Sequence, residues 1–166
     1  MLTKTRPTED AWRPALQRVL AGKKDRAYAT LYDVGHVDRI GIVKAGLPAK
    51  LLTTLAEDMQ VTRERLYRWL GIARATANRK VQAGDRLNQD ESERALGILR
   101  LIGQVEKIVA ESGEPAGFDA ALWTAQWLQQ PNRALGGKAP GDFMDTADGR
   151  GLVAGLVAQM QAGTYA

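Results

Sequence analysis

The side chains of this 166-residue chain that are best suited to binding chemistry are basic, and they concentrate between residues 61 and 86. That segment carries seven basic side chains and two acidic ones, whereas residues 87–166 carry six basic and ten acidic ones, in a chain of net charge +4. The seven basic residues are Arg63, Arg65, Arg68, Arg74, Arg79, Lys80 and Arg86. A dense basic segment beside an acidic region predicts a site for a polyanion and a second region with a different task.

Residues that could catalyse a reaction or hold a metal are few. The chain has no cysteine, and His36 is its single histidine, which we expect in a loop or an interface. Asp142, Asp145 and Asp148 recur at three-residue intervals, but they lie at expected helix starts, where the helix dipole favours carboxylates. The Gly-Gly-Lys at 136–138 lacks the glycine spacing, the following Ser or Thr and the preceding strand of a phosphate loop. We therefore predict a binding protein with no catalytic residue, cofactor or metal.

Apolar residues recur at helical spacing along almost the whole chain, and no segment alternates as a strand does. Helix caps are expected at Thr8, Thr62 and Thr146, and Asn88 with Glu91 has the spacing of a capping box. These signals predict an all-α fold.

Most of the expected helices have an apolar stripe. Val37, Ile40, Val43 and Leu47 recur at helical spacing in one that Gly46 is expected to end, and the last helix is expected to bury Leu152, Leu156, Val157 and Met160. Residues 23–36 show no clear period, so we predict no regular element there.

The segment Thr62–Val81 has the pattern of a helix-turn-helix. Gly71 supplies the conformation of the turn, Ile72 fills the angle between the two helices, and Ala77 faces the core together with Val81. The second helix then leaves small and cationic side chains free to enter a major groove, and the arginines of the first helix are placed to hold phosphates. The predicted DNA-binding residues are Arg63, Arg65, Arg68, Arg74, Ala75, Thr76, Asn78, Arg79 and Lys80. The alternative is a basic helical hairpin that only keeps the protein soluble.

The stretch WLQQPNRALGGKAPGDFMDTADGRGLV, which begins at Trp127, is the most specific part of the sequence. Pro131 ends one helix, Gly136 and Gly137 permit a sharp turn, and Pro140 begins another helix. Chemically this is a junction between helices.

Five blocks of the chain, in order, resemble the Xre/MbcA/ParS antitoxins of RES-type toxin–antitoxin pairs. They are GLPAKLLTTLAEDM, LGIARATANRK, LNQDESERALGILRL, AQWLQQPNRALGGKAPGDFMDTADGRGLV and the terminal AGTYA. The resemblance covers residues 36–166 and not residues 1–35. The sequence departs from the family pattern at Ala73 and Ala139, where Ser and Thr caps are common, and at Asn78, where an aromatic residue is frequent.

The resemblance implies an antitoxin that forms a homodimer within a larger hetero-oligomer, binds its own operator DNA and neutralises a RES-domain toxin. Such toxins resemble ADP-ribosyltransferases and deplete NAD. The implied domains are an N-terminal helical region that supports the dimer (1–47), a helix-turn-helix domain (48–112) and a toxin-binding domain (113–166). The implied toxin-binding residues are Trp127, Asn132, Arg133, Leu135, Gly136, Gly137, Lys138, Thr164, Tyr165 and Ala166.

The last three residues suggest a more specific hypothesis. A tail with an aromatic ring at Tyr165 and a free carboxylate at Ala166 is able to reach into the toxin's cleft. The alternative is a frayed terminus, which is the usual state of such residues.

Two other functions remain open on the sequence. One is a stand-alone transcriptional regulator whose C-terminal module only dimerises, and the other is a ParS-like regulator of chromosome or polar organisation. No apolar run reaches the length of a membrane span, and the first dozen residues are charged, which predicts a cytoplasmic protein with no membrane partner.

Overall fold

The structure is a computed structural model that describes residues 12–113 and 116–163. Over these residues the chain forms α-helices and two short 3₁₀ helices without a strand, which confirms the predicted all-α class. The α-helices are α1 (Trp12–Leu20), α2 (Ala27–Tyr32), α3 (His36–Ala45), α4 (Lys50–Met59), α5 (Arg63–Leu70), α6 (Arg74–Ala83), α7 (Gln89–Glu111), α8 (Ala120–Leu128) and α9 (Ala147–Gln161). The 3₁₀ helices are Arg133–Leu135 and Pro140–Phe143.

The long helix α7 lies at the centre, and α2, α3, α8 and α9 all pack against it. It begins with the predicted capping box: the Asn88 side chain accepts the Glu91 N–H, and the Glu91 side chain accepts the Asn88 N–H. The approach of α2 is especially close, because a Cβ at Gly103 would lie 2.1 Å from the carbonyl oxygen of Tyr28. Glycine at this position therefore sets how near the two helices can pack.

Helices α4, α5 and α6 form a compact unit beside α7. Its interior is made by fully buried leucines and a methionine: Leu51, Leu52, Leu55, Met59, Leu66 and Leu70. The loop that follows α6 is fixed to the chain that precedes α4, because Ala49 N–H donates to the Asp85 carbonyl at 2.9 Å and Leu87 N–H donates to the Leu47 carbonyl at 2.8 Å. Gly46 ends α3 with φ +82, as its position predicted. The beginning and the end of the three-helix unit are thus joined to each other by backbone hydrogen bonds.

The C-terminal part consists of α8, the two 3₁₀ helices and α9. The Thr146 hydroxyl accepts the Gly149 N–H at 3.0 Å, which confirms the predicted cap of α9. The segment also touches α5, since a Cβ at Gly141 would lie 2.3 Å from Nε1 of Trp69. The C-terminal part therefore packs directly on the three-helix unit.

The N-terminal region differs from the prediction, because the segment without a clear period contains α2. This helix is held by long-range contacts that no local pattern encodes: the Tyr28 hydroxyl donates to Asp58 Oδ2 at 2.5 Å, and Lys24 lies 3.8 Å from Asp58 and 3.2 Å from Asp119. Thr8, the predicted cap of the first helix, lies outside the described residues.

The apolar stripes predicted for α3 and α9 are partly wrong. Val37 and Ile40 are 82% and 55% exposed, whereas Val43 and Leu47 are buried as predicted and Ile42 is buried beside them. Leu152 is 47% exposed, while Val153 takes its place in the core. Leu156 and Val157 of α9 are buried as predicted, so each predicted stripe is wrong at only part of its positions, because the helical period alone does not specify the side from which a neighbouring helix packs.

Within the described residues, no helix is long and apolar enough to cross a bilayer.

Candidate functional site

The turn between α5 and α6 has the geometry expected for a helix-turn-helix. The Thr62 hydroxyl accepts the Arg65 N–H at 3.2 Å and so caps α5, as predicted. Gly71 ends the helix at φ +63, a left-handed conformation that glycine adopts without strain. Ile72 is buried at 7% exposure between the two helices. The local sequence therefore fixes the angle at which α6 leaves α5.

Helix α6 presents the small, cationic face that the sequence predicted. Ala77 is fully buried and Val81 packs against the core, so the opposite side of the helix faces solvent. Arg74, Ala75 and Arg79 are exposed on that side. Ala73 occupies the N-cap position of α6 and makes no side-chain hydrogen bond to the N–H groups of the first turn.

Asn78 is held in place by α5. Its Oδ1 accepts a hydrogen bond from the Tyr67 hydroxyl at 3.0 Å, and Tyr67 is itself only 2% exposed. Burial raises the pKa of the Tyr67 hydroxyl, so it stays protonated and remains a donor to Asn78. Asn78 and Thr76 are both half-buried at the edge of the exposed face. The amide nitrogen of Asn78 is the part of this side chain left to address a base.

Lys80 is placed differently from the other predicted contacts. Its Nζ lies 2.7 Å from Oε2 of Glu91, and the two side chains are 15% and 8% exposed. Burial acts to raise the pKa of Glu91, but the hydrogen bonds from Lys80 and from the Asn88 N–H outweigh it and hold this pKa below its ordinary value. Lys80 therefore joins α6 to α7, and its charge is largely neutralised within the protein.

The arginines of α5 line the edge of the same surface. Arg63, Arg65 and Arg68 are all exposed. Arg74, at the start of α6, lies 3.4 Å from Glu64 in an ion pair that is open to solvent on both sides. Such a pair contributes little to stability, so Arg74 is free to exchange its partner for a phosphate.

Arg94 of α7 is a structural residue of this site that the sequence pattern did not reveal. Its Nη1 donates to the carbonyl oxygens of Leu70 and Gly71, at 3.0 Å each. These carbonyls at the end of α5 have no partner within the helix, and a guanidinium at a helix C-terminus satisfies them. No local signal marks this contact, because the two segments are more than twenty residues apart.

The second candidate surface is the loop after α8. Asn132 is 8% exposed, its Oδ1 accepts the Ala134 N–H, and its backbone carbonyl accepts the Gly137 N–H. Leu135 is also buried, at 8% exposure. These two predicted contact residues therefore shape the loop from inside.

The outer side of this loop is polar and small. Arg133 and Lys138 are exposed. Gly136 and Gly137 are exposed with φ of +64 and +83, and nothing lies within 4 Å of a Cβ built on either. This side of the loop is where a partner can approach the backbone closely.

Trp127 is half-buried and stacks on Trp123, with ring centroids 6.0 Å apart and an interplanar angle of 9°. Phe118 continues the row at 6.5 Å from Trp123 and is 37% exposed. Trp123 and Trp127 both pack against the core. Trp127 is thus a half-buried ring held in place by its neighbours. The remaining predicted contacts, Thr164, Tyr165 and Ala166, lie outside the described residues.

Two family descriptions match the chain, one after the other. The antitoxin Xre-like helix-turn-helix domain matches residues 38–100, and the antitoxin Xre/MbcA/ParS C-terminal toxin-binding domain matches residues 116–163. The chain is also similar to the Prs ADP-ribosylating antitoxin of Sphingobium sp. (strain YBL2), with 41% identity over 140 residues, which cover 84% of this chain and 88% of that antitoxin. The first match contains the three-helix unit with its exposed basic face, and the second contains the glycine loop and α9.

Proposed function

We propose that this chain, which belongs to the Xre/MbcA/ParS family of antitoxins, neutralises a RES-domain toxin that depletes NAD. In the same proposal, the antitoxin also represses its own operon. The role of an antitoxin of this kind is regulatory binding and not catalysis. The observation that carries the proposal is the order of the two matched domains, a helix-turn-helix followed by a toxin-binding domain, in a chain of which they cover most.

The proposed identity of the toxin is supported by the name of a relative. The Sphingobium relative is called an ADP-ribosylating antitoxin, and RES-type toxins resemble ADP-ribosyltransferases. The exposed side of the loop at 136–138, together with the half-buried Trp127 that precedes it in sequence, is the surface we assign to the toxin. The rigid ring and the open glycine backbone are features of a protein-binding anchor.

The tail Thr164–Ala166 is a second proposed contact with the toxin, in which Tyr165 would stack in the toxin's cleft. The test is removal of the three residues followed by an assay of the toxin's NAD consumption. Unchanged inhibition by the shortened chain would discard the role of the tail without affecting the role of the loop.

The DNA half of the proposal rests on exposure and charge. Arg74, Ala75 and Arg79 face solvent on α6 and would meet base edges in the major groove, while Arg63 and Arg65 would hold phosphates. A homodimer supported by the N-terminal region would present two such helices to two half-sites of an operator. The proposal implies a cytoplasmic location, since the operator lies there.

The test is co-expression of the chain with a RES-domain toxin encoded beside it. We expect the two proteins to co-purify, growth to be restored, and the complex to bind the promoter with an affinity that falls steeply with salt. Promoter binding without any association with the toxin would instead indicate a stand-alone regulator whose C-terminal module only dimerises.

A further inference from the structure

A cleft of about 470 Å³ opens between α3, α7 and α9, away from the proposed DNA-binding and toxin-binding residues. Its volume lies within the range of small-molecule sites, which is roughly 300–1,000 Å³. Helix α3 precedes the helix-turn-helix, and α9 belongs to the matched toxin-binding domain. A molecule bound here would contact both halves of the protein and the central helix that joins them.

The charges that line this cleft are strongly unbalanced. Four cationic side chains contribute to its walls, namely Arg39, Lys44, Arg100 and Arg150, whereas Glu93 is the one carboxylate found among the described residues that line it. Within residues 12–113 and 116–163, no carboxylate forms an ion pair with any of these four cations. A concave surface on which one sign of charge predominates attracts and concentrates small ions of the opposite sign.

Arg100 is the least satisfied of these cations. Its Nε is enclosed by protein and has no hydrogen-bond partner among the described atoms, while its guanidinium carbon lies 5.6 Å from the centre of the Tyr32 ring. Burial and, to a smaller extent, the charge of Arg39 lower the pKa of Arg100 from its ordinary value, and both arginines line the same cleft. Two neighbouring arginines without a carboxylate between them match the charge of an oxyanion.

Arg150 reaches the cleft because of a glycine on α7. A Cβ at Gly97 would lie only 2.4 Å from Cδ of Arg150, so the arginine side chain lies directly across the helix at this point. Its Nη1 donates to the Met144 carbonyl at 3.2 Å, which fixes the guanidinium at the cleft wall. The absence of a side chain at residue 97 therefore creates room for the cation.

The rest of the wall contains apolar groups together with the polar side chains of Tyr32, His36, Gln89 and Gln104. Leu96, Leu101 and Met144 are buried but contact the cleft, and Ile40 is exposed at its mouth. Inorganic phosphate would leave most of this volume unfilled. The walls instead fit a molecule that joins a phosphate group to an aromatic or apolar group.

We propose that this cleft binds a small phosphate ester of nucleotide size, whose phosphates contact Arg39, Arg100 and Arg150 and whose base lies against the apolar wall. Arginine favours phosphate here because its planar fork donates two parallel hydrogen bonds. Lys44 adds charge at the edge, and Glu93 opposes binding. The site is separate from the DNA surface, since no residue of α6 lines it.

The experiment is isothermal titration of the full-length protein at low salt with ATP, pyrophosphate and adenosine. We expect ATP to bind more tightly than pyrophosphate, and adenosine to bind weakly, because the phosphates supply the charge and the base supplies the apolar contact. Arg39→Gln should weaken ATP binding about tenfold, the loss expected for one charge-assisted hydrogen bond. Glu93→Gln should tighten it.

Gly97→Ala provides a second test that does not risk the fold, because alanine favours the helix and only the Arg150 side chain has to move. It should also weaken ATP binding. Lys23→Gln, at an exposed position outside the cleft, is the control and should bind ATP as the wild type does. Absence of ATP binding would overturn the proposal.

Three other results would overturn it as well. One is equal weakening of ATP binding in Lys23→Gln, which would mean a non-specific charge effect. Another is weakening by Arg79→Gln but not by Arg39→Gln, which would assign the nucleotide to the DNA surface. The third is a change of sedimentation in Arg39→Gln together with unchanged ATP binding, which would show that a second copy of the chain occupies the cleft.

Discussion

Lys80 Nζ lies 2.7 Å from Oε2 of Glu91, and the same oxygen accepts the Asn88 N–H at 2.9 Å. One carboxylate therefore completes the capping box of α7 and also fixes α6 to it. The Lys80–Glu91 pair is largely buried, so little water is available to replace the contact if one of the two side chains is changed. We predict that the orientation of α6, which carries proposed DNA contacts, depends on this ion pair.

Glu91→Gln tests the pair while keeping a side-chain acceptor for the Asn88 N–H. We expect the variant to lose about 2 kcal/mol of unfolding free energy at pH 7, because the largely buried Lys80 loses its counter-charge. Urea unfolding followed by circular dichroism measures the loss. Asp90→Asn, an exposed change at the next position, is the matched control and should remain within about 0.5 kcal/mol of the wild type. An equal loss in both variants would contradict the role of the ion pair.

The pair also predicts a pH dependence of stability. Hydrogen bonds from Lys80 and from the Asn88 N–H, together with the charge of Arg94, outweigh the opposing effect of burial and hold the pKa of Glu91 below its ordinary value of 4.5. Because the folded pKa is the lower one, the stabilisation is complete above the unfolded pKa and is lost as pH falls through the folded pKa. The difference in unfolding free energy between wild type and Glu91→Gln should therefore shrink as the pH is lowered below 4.5. A difference that stays constant into acid would show that the carboxylate charge is not its source.

The arginines of the helix-turn-helix are expected to differ in what they recognise. Arg79→Gln, on the exposed face of α6, should weaken operator binding by about 1–3 kcal/mol and reduce discrimination against random DNA. Arg65→Gln should weaken binding to both DNAs equally and reduce the salt slope by about one. Fluorescence anisotropy at several salt concentrations separates the two effects. If both variants gave the same sequence-independent loss, α6 would not be reading bases.

Gly141 sets the contact between the C-terminal part and α5. Gly141→Ala should destabilise the fold by about 1–3 kcal/mol, because the new Cβ would lie 2.3 Å from Trp69 Nε1 and 2.9 Å from the Leu128 carbonyl oxygen. Gly155→Ala, in α9 with nothing within 4 Å of the new Cβ, is the control and should stabilise by about 0.5–1 kcal/mol. Thermal unfolding distinguishes the two, and equal shifts would mean that the contact with Trp69 is loose.

In the loop after α8, the buried Asn132 and the exposed Lys138 are expected to have different roles. Asn132→Ala should lower stability by about 1 kcal/mol, since the buried side chain caps the 3₁₀ helix. Lys138→Glu should leave stability unchanged and weaken the toxin complex about tenfold, because this side chain is exposed. Melting curves and titration with the toxin give the two quantities. If Lys138→Glu bound the toxin as tightly as the wild type does, the proposed toxin contact at this loop would be contradicted.

Much of the local structure could be predicted from the sequence. Thr62, the Asn88–Glu91 box and Thr146 are caps in the structure as predicted, and Gly71 ends α5 in the left-handed conformation. These features depend on residues within a few positions of one another, so the sequence contains the whole signal.

The remaining features depend on distant partners. Arg94 binds the carbonyls at the end of α5, and Tyr28 holds Asp58 thirty residues away. Lys80 has the spacing of a DNA contact, yet it is turned inward because Glu91 lies beside it. The helical period of apolar residues predicts that α3 is a helix. Which of its residues are buried depends on how α3 packs against α7.

The proposed inhibition of a toxin by stoichiometric binding is tested most directly by measuring NAD consumption by the purified toxin. The proposed partner, a RES-domain toxin, would be mixed with increasing amounts of the antitoxin, and the remaining NAD would be followed over time. We predict that consumption falls linearly and stops at a fixed molar ratio of antitoxin to toxin. Undiminished NAD consumption at a large excess of antitoxin would contradict the claim.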